Sequence, residues 1–190
     1  MDWILDRVLP HYQFRTRYTR KISAPPAAVW AAALAVTAEE LPVTRLLMKV
    51  RTAGRARMTG PLLETMSMPV LGRHDGREIV LGQVAKFWQP HPSRAPWQAG
   101  DPAAFTAFTE PGWAKGALSL HVAPTGTGTE LVAETRVEAT DERSRRLFGV
   151  YWAFIRLGGA GFIRLELLGA IARRAETCGR AGDDLVIPAR

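Results

Sequence analysis

The longest hydrophobic pattern in this chain runs from Thr140 to Gly179, near the C-terminus. Apolar and small residues follow one another there at spacings of three and four, which places them on one side of an α-helix. These residues are Leu147, Tyr151, Phe154, Gly158, Gly161, Leu165, Leu168, Ala172 and Ala175. Thr140 or Asp141 can cap the start of this helix, and Gly179 can take the left-handed conformation that ends it. The pattern predicts a core-facing helix around which the rest of the chain is organised.

An unbroken helix of this length would overshoot a compact domain. About 37 residues at a rise of about 1.5 Å each span about 55 Å, whereas a compact chain of 190 residues is only about 40 Å across. The segment from Gly158 to Gly161 is the weakest part of the helix, because each Gly costs up to about 1 kcal/mol relative to Ala. We therefore predict one helix from about Asp141 to Leu157 and a second from about Ala160.

Alternating apolar and polar residues predict an antiparallel sheet upstream of this helix. The alternation from Gln13 to Ile22 predicts the first strand. Two short helices follow, one after Pro25 and Pro26 and one over about Pro42–Val50. Further strands are predicted at Glu64–Gly72, Arg77–Trp88, Ala103–Glu110, Trp113–Ala123 and Thr129–Ala139.

The last two predicted strands show which face of the sheet is covered. Their apolar face carries Leu118, Leu120, Val122, Leu131, Ala133 and Val137, and the face predicted to meet solvent carries Glu130, Glu134, Arg136 and Glu138. The fold class is therefore α+β. We predict a curved antiparallel sheet of about six or seven strands, closed on its concave side by the C-terminal helix.

The composition fits one domain that spans residues 1–190. The chain has 47% hydrophobic and 23% charged residues, which is ordinary for a globular protein. Asp2 and Asp6 lie where a signal peptide would be basic, and no run of about 18 uncharged apolar residues occurs. We expect a cytoplasmic protein without a membrane span. The single cysteine, Cys178, has no second thiol to pair with, so we expect neither a disulfide nor a cysteine metal site.

The formal charge of +7 and the pI near 10.3 raise the question of a nucleic-acid partner. The basic residues are spread along the chain in local groups, such as the one around Arg51, Arg55 and Arg57. A nucleic-acid surface usually adds stacking aromatic residues or a groove-reading helix, and neither is present here. We therefore predict no nucleic-acid partner, no metal and no cofactor, and a monomer or a dimer.

The order of the predicted elements resembles the helix-grip fold of the START-like superfamily, also called SRPBCC, which includes polyketide cyclases and pathogenesis-related allergens. The local sequence is similar to its uncharacterised bacterial branch over nearly the whole chain. The similarity lies in Ile22-Ser23-Ala24-Pro25-Pro26 with Val29-Trp30, in Leu81-Gly82 before Phe87-Trp88, and in Tyr151-Trp152 before the glycines and Ile163-Arg164. These motifs indicate a fold rather than a reaction.

The resemblance implies a cavity between the curved sheet and the final helix. The residues expected around it are Met66, Met68, Trp88, Phe105, Trp113, Leu118, Tyr151 and Phe154. The function it implies is binding of a small hydrophobic molecule: a lipid, a polyketide or an aromatic metabolite. Each of these residues could equally be ordinary core, and the glycine junction beside the cavity is a candidate gate.

The alternative is an enzyme that uses the same cavity, a cyclase, hydratase or hydrolase acting on a polyketide-like substrate. Glu64, His91 and Arg20 are the residues that could supply an acid, a base or anion stabilisation. Glu64 is equally well explained as a solvated residue at a strand start, and Arg20 as a side chain that extends to solvent. The catalytic residues stay unknown, and the hypothesis requires these three side chains to meet in one cavity.

Overall fold

The computed structural model describes residues 3–51, 59–66, 68–157 and 160–183. Within them, five antiparallel strands form one curved sheet in the order β1-β5-β4-β3-β2. The strands are β1 (Phe14–Ile22), β2 (Val70–His74), β3 (Glu78–Ala85), β4 (Ala114–Thr125) and β5 (Gly128–Ala139). The α+β class and the antiparallel sheet are confirmed, and the predicted count of six or seven strands is wrong.

Seven helices lie around the sheet in the described residues. They are α1 (Ile4–Val8), α2 (Pro26–Ala35), α3 (Pro42–Arg51), α4 (Leu62–Thr65), α5 (Pro102–Ala107), α6 (Glu142–Leu157) and α7 (Ala160–Asp183). A single 3₁₀ turn, Ala38–Glu40, precedes α3. Apart from α1, α4 and α5, the described elements run in the order of one strand, two helices, four strands and two C-terminal helices.

One of the predicted strands, Ala103–Glu110, is instead the helix α5. The Asp101 carboxylate accepts hydrogen bonds from the backbone N–H groups of Ala103 at 2.8 Å and Ala104 at 3.3 Å. Pro102 occupies the first turn, where its missing N–H costs nothing. The strand predicted from Glu64 begins only at Val70, because residues 62–65 form the short helix α4.

The described parts of the two C-terminal helices are Glu142–Leu157 for α6 and Ala160–Asp183 for α7. Asp141, rather than Thr140, caps α6. Its carboxylate accepts from the Ser144 backbone N–H at 2.9 Å, whereas the Thr140 hydroxyl bonds the backbone of Trp113. Gly158 and Gly159 lie outside the described residues, so the break there stays a prediction.

The concave face of the sheet is covered by α2, α6 and α7. At one end, Ile22, Leu131 and Val122 pack against Trp30 of α2 and Ile171 of α7. At the other end, an aromatic group packs on Ala114 and Val137; it contains Phe14, Phe87, Trp88, Phe148, Tyr151 and Trp152. The middle of the concave face lies between these two packed regions.

The opposite face of the sheet is also covered, which corrects the prediction that it meets solvent. The N-terminal segment with α1, together with α5, packs on it around Leu5, Val8, Leu9 and Phe105. As a result Glu134 and Arg136, predicted to be solvated, are only 2% and 8% exposed. The reason is that the first residues of the chain return to a face that alternation alone indicates to be polar.

The polar side chains of this opposite face pair with one another. Glu134 accepts from Arg15 Nε at 2.9 Å and from Arg136 Nε at 2.7 Å. Arg136 also donates to the Asp6 carboxylate at 2.7 Å, which ties the sheet to α1. The buried Glu78 accepts from the backbone N–H groups at the start of α1 and from a serine hydroxyl on β4. None of the described helices is long and apolar enough to span a membrane.

Candidate functional site

Two adjoining cavities of about 630 and 180 Å³ lie between the middle of the concave face and helices α6 and α7. They share six lining residues, and both have mainly apolar walls. The shared residues are Met68, Thr135, Tyr151, Trp152, Ile155 and Arg164. We treat them together as the candidate site and call it the central cavity.

The larger part of the central cavity reaches the surface between α3 and α6. Thr16 and Tyr18 of β1 line its inner wall, and Leu47 of α3 lines the outer one. Val50 and Phe154, which line the same part, are 75% and 72% exposed. Apolar side chains therefore surround an opening through which a hydrophobic molecule could enter.

The smaller part lies deeper, against the aromatic end of the sheet. Met66, Leu118 and Phe148 contribute to its wall. Gly116 of β4 is also there, and a Cβ on it would lie 3.0 Å from the Phe87 ring. A side chain at position 116 would therefore force the Phe87 ring to shift, so glycine here allows the tip of the ring to approach β4 closely.

Arg164 of α7 brings a positive charge into the central cavity. Its Nη2 atom donates to Thr135 Oγ1 on β5 at 3.0 Å. Burial lowers the pKa of the Arg164 guanidinium, because the surrounding protein disfavours the charged form. The Tyr18 hydroxyl lies nearby against Gly161, where a Cβ would come within 3.0 Å of it. The cavity thus has a few polar groups at one place in an otherwise apolar wall.

Five of the eight residues expected around a cavity line the central cavity: Met66, Met68, Leu118, Tyr151 and Phe154. Trp88 packs in the neighbouring aromatic group without lining either part. Phe105 is fully buried under the opposite face, because its segment is the helix α5 rather than an inner strand. Trp113 packs against the same opposite-face cluster and carries Lys86 over its ring.

The residues required by the enzyme hypothesis do not meet in the central cavity. Arg20, Glu64 and His91 are all exposed, and none of them lines either part of it. The hypothesis therefore loses the support it had from the sequence. The described residues also contain no group of three or more His, Cys, Asp or Glu side chains placed to hold a metal ion.

Sequence reasoning missed the polar groups of the cavity: Arg164, Thr135, Thr16 and Tyr18. A signal for Arg164 does exist, because it is the one basic residue between Gly161 and Leu168 and lies three positions after Gly161, on the core-facing side. A charge on that side of a helix is either snorkelling or a buried functional group. Only the packing of α7 on the sheet distinguishes the two.

No family model matches the sequence, and no curated protein matches it. Among solved structures, a crystal structure of a Mesorhizobium loti protein is 15% identical and has a TM-score of 0.39, with 86% of this chain and 98% of that chain covered. A Chromobacterium violaceum protein is 11% identical with a TM-score of 0.37, covering 85% and 96%. An AHSA1-like protein from Rhizobium etli is 14% identical with a TM-score of 0.34, covering 93% and 90%. At TM-scores under 0.5, these similarities identify neither a family nor a function for this chain.

Proposed function

We propose that this protein is a START-like helix-grip domain that binds a small hydrophobic molecule, a lipid, a polyketide or an aromatic metabolite, in the central cavity. The observation that carries the proposal is the cavity itself. A concave, mainly apolar pocket of about 630 Å³ that reaches the surface lies beside Tyr151 and Ile155, and this volume is within the range of small-molecule sites. An apolar cavity with a few polar groups is a usual site for a small ligand.

The shape of the surroundings supports the same proposal. The cavity lies between two well-packed regions of the concave face rather than at a loosely packed edge. Its opening carries exposed apolar side chains on α3 and α6, among them Val50 and Phe154. A hydrophobic ligand would cover this surface and fill the space, and burial of apolar area would drive its binding.

A cavity-filling substitution tests the proposal. Ile155 lines both parts of the cavity, so Ile155→Trp should occupy ligand space. Val150 on the same helix is 75% exposed and lines neither part, so Val150→Trp is the matched control. The measurement is displacement of a fluorescent hydrophobic probe by a panel of fatty acids and aromatic polyketides, with native mass spectrometry of the freshly purified protein.

We expect probe binding by the wild type and by Val150→Trp, and at least a tenfold loss of affinity in Ile155→Trp, because the indole removes the volume that the ligand needs. Circular dichroism verifies that both variants are folded. A wild-type protein that binds no probe and carries no co-purified small molecule would refute the proposal. Equal probe binding by the two variants would mean that the ligand binds outside the central cavity.

A further inference from the structure

Arg164 is a half-buried cation without a carboxylate partner in the described part of the chain. None of the ion pairs there involves it, and its one hydrogen bond goes to the neutral Thr135 hydroxyl. A guanidinium has five N–H donors in a planar fork. One neutral acceptor therefore leaves most of its hydrogen-bonding capacity unused.

The described residues around the central cavity offer no negative charge to compensate Arg164. Among those that line its two parts there is no Asp or Glu, and the other charged residue is Arg156, also positive. Arg164 is half-buried and lines both parts of the cavity. Removing an unpaired charge from water is costly, and proteins keep such groups mainly at functional sites.

The groups near Arg164 can add hydrogen bonds to an anion. Thr16, Tyr18 and Thr135 line the same part of the cavity, and each carries a hydroxyl that can donate. Apart from Arg156 and the glycines, the rest of the wall is aliphatic, aromatic or thioether. The site thus combines the half-buried guanidinium of Arg164, several hydroxyls and an apolar wall.

Resting on the proposed function, we propose that the ligand of the central cavity is a hydrophobic carboxylic acid whose carboxylate binds Arg164 and whose apolar part fills the space toward Met68 and Ile155. The guanidinium fork matches a carboxylate in bidentate geometry, which makes this pairing stronger than a neutral hydrogen bond. The apolar wall provides the affinity and Arg164 provides the selection for the acid.

The test compares an acid with the alcohol of the same chain length, at a pH where the acid is ionised. Lauric acid and lauryl alcohol present the same tail and differ in the head group. We expect the acid to displace a fluorescent hydrophobic probe from the wild-type protein roughly tenfold or more better than the alcohol, because a hydrogen bond to a charged group contributes about 1.5–3 kcal/mol. Equal displacement by the two would overturn this inference and leave the proposed function intact. No displacement by either from a protein that binds the probe would also overturn this inference alone, whereas the proposed function fails only if the protein binds no probe and carries no co-purified small molecule.

Two arginine variants test whether Arg164 causes the preference for the acid. Arg164→Met keeps an unbranched apolar stem and removes the charge, so the acid should fall to the affinity of the alcohol. Arg173→Met is the matched control, because Arg173 lies on the same helix, is exposed and lines neither part of the cavity, and it should retain the preference for the acid. Loss of preference in Arg173→Met, or its persistence in Arg164→Met, would overturn the assignment to Arg164. The wild-type comparison decides the inference even if Arg164→Met does not fold.

Discussion

Glu134 shows at the scale of one residue how the opposite face is held together. Its side chain is 3% exposed and lies between Arg15, at 2.9 Å, and Arg136, at 2.7 Å. Burial alone would raise the pKa of the Glu134 carboxyl, but the hydrogen bonds from Arg15 and Arg136 outweigh it and lower the pKa. The ionised carboxylate is therefore the form that the folded protein stabilises.

Glu134→Gln should destabilise the protein by about 1.5–3 kcal/mol at neutral pH, because Arg15 and Arg136 lose their charged hydrogen-bond acceptor while Arg136 keeps its bond to Asp6. Since the folded state lowers the pKa of Glu134, its contribution is complete above the ordinary pKa of a glutamate and is lost as the pH falls below it. Urea unfolding at neutral and acid pH should show that the difference in free energy of unfolding between wild type and Glu134→Gln becomes smaller as the pH falls. Glu142→Gln, which removes an exposed carboxylate beside two arginines, should change little. A stability difference between wild type and Glu134→Gln that does not vary with pH would show that ionisation of Glu134 does not stabilise the fold.

His121 is the second titrating residue of this face. Burial, and next the nearby Arg17, lower the pKa of its imidazole from 6.5 to about 4. The ring stacks on Trp3, with 4.3 Å between the centroids. The folded protein therefore holds a neutral imidazole, whereas the unfolded chain binds a proton below its ordinary pKa. The stability that His121 contributes is complete above pH 6.5 and is lost as the pH falls toward 4.

His121→Phe should keep the ring stack and remove this titration. We expect the variant to lose less stability than the wild type between pH 6.5 and 4. The measurement is the urea midpoint across that range. His74→Gln, at the exposed end of β2, is the control and should follow the wild-type curve. Parallel curves for wild type and His121→Phe would mean that protonation of His121 is not linked to unfolding.

At the scale of elements, long hydrophobic patterns predicted the correct secondary structure and short ones did not. Strands β1, β4 and β5 run nine to twelve residues, long enough for alternation to be read. The helix α5 has six residues, and its sequence Pro-Ala-Ala-Phe-Thr-Ala fits a strand or a helix equally well. Its only clear signal was Asp101 followed by Pro102, a cap with a proline in the first turn.

The start of α6 gives an element-scale prediction. Asp141 accepts from the Ser144 hydroxyl at 2.7 Å, from the Ser144 backbone N–H, and from the backbone N–H of Gly112 in the turn before β4. These bonds, the hydroxyl first, lower the pKa of Asp141 to about 2. Asp141→Ala should reduce stability by about 1 kcal/mol at neutral pH.

Because the folded state lowers the pKa of Asp141, its contribution is complete above 3.8 and should vanish as the pH approaches 2. Thermal unfolding followed by circular dichroism at neutral and strongly acid pH measures both effects. Asp75→Asn, a change of the same charge in the β2–β3 turn where the side chain is 76% exposed, is the control. An Asp141→Ala protein as stable as the control would show that the cap is dispensable.

At the scale of the whole molecule, the sequence predicted the sheet and the C-terminal helices that cover its concave face. It did not predict that the N-terminal segment covers the opposite face. The stripe through Leu168 and Ala172 faces the core as expected, since both are 1% exposed. The return of residues 3–9 to the far side of the sheet could not be predicted, because it depends on contacts more than 70 residues apart, such as that of Ile4 with Glu78. The cavity likewise depends on where α7 crosses the strands, which no local pattern specifies.

Removing residues 1–9 should therefore cost the fold more than an ordinary terminal deletion does. It exposes the opposite face and takes away Leu5, Val8 and Leu9, which are 2%, 6% and 0% exposed. The point variant Leu9→Ala should lose about 2–5 kcal/mol by itself. Urea unfolding measures the point variant, and binding of a hydrophobic dye reports on the truncated chain. Wild-type stability in Leu9→Ala would show that the N-terminal segment is only loosely attached.

The alternation along β5 has a consequence for how this protein could change over time. Thr135 faces the cavity, while its immediate neighbours Glu134 and Arg136 face the opposite way and hold the N-terminal segment. Adjacent residues of β5 therefore contribute to two separate regions, the cavity wall and the packing of the opposite face. Under the proposed function, substitutions at Thr16, Tyr18 or Thr135 would change which molecule the cavity prefers without weakening the contacts of the opposite face. Such a scaffold can diverge in specificity while its folding stays constant.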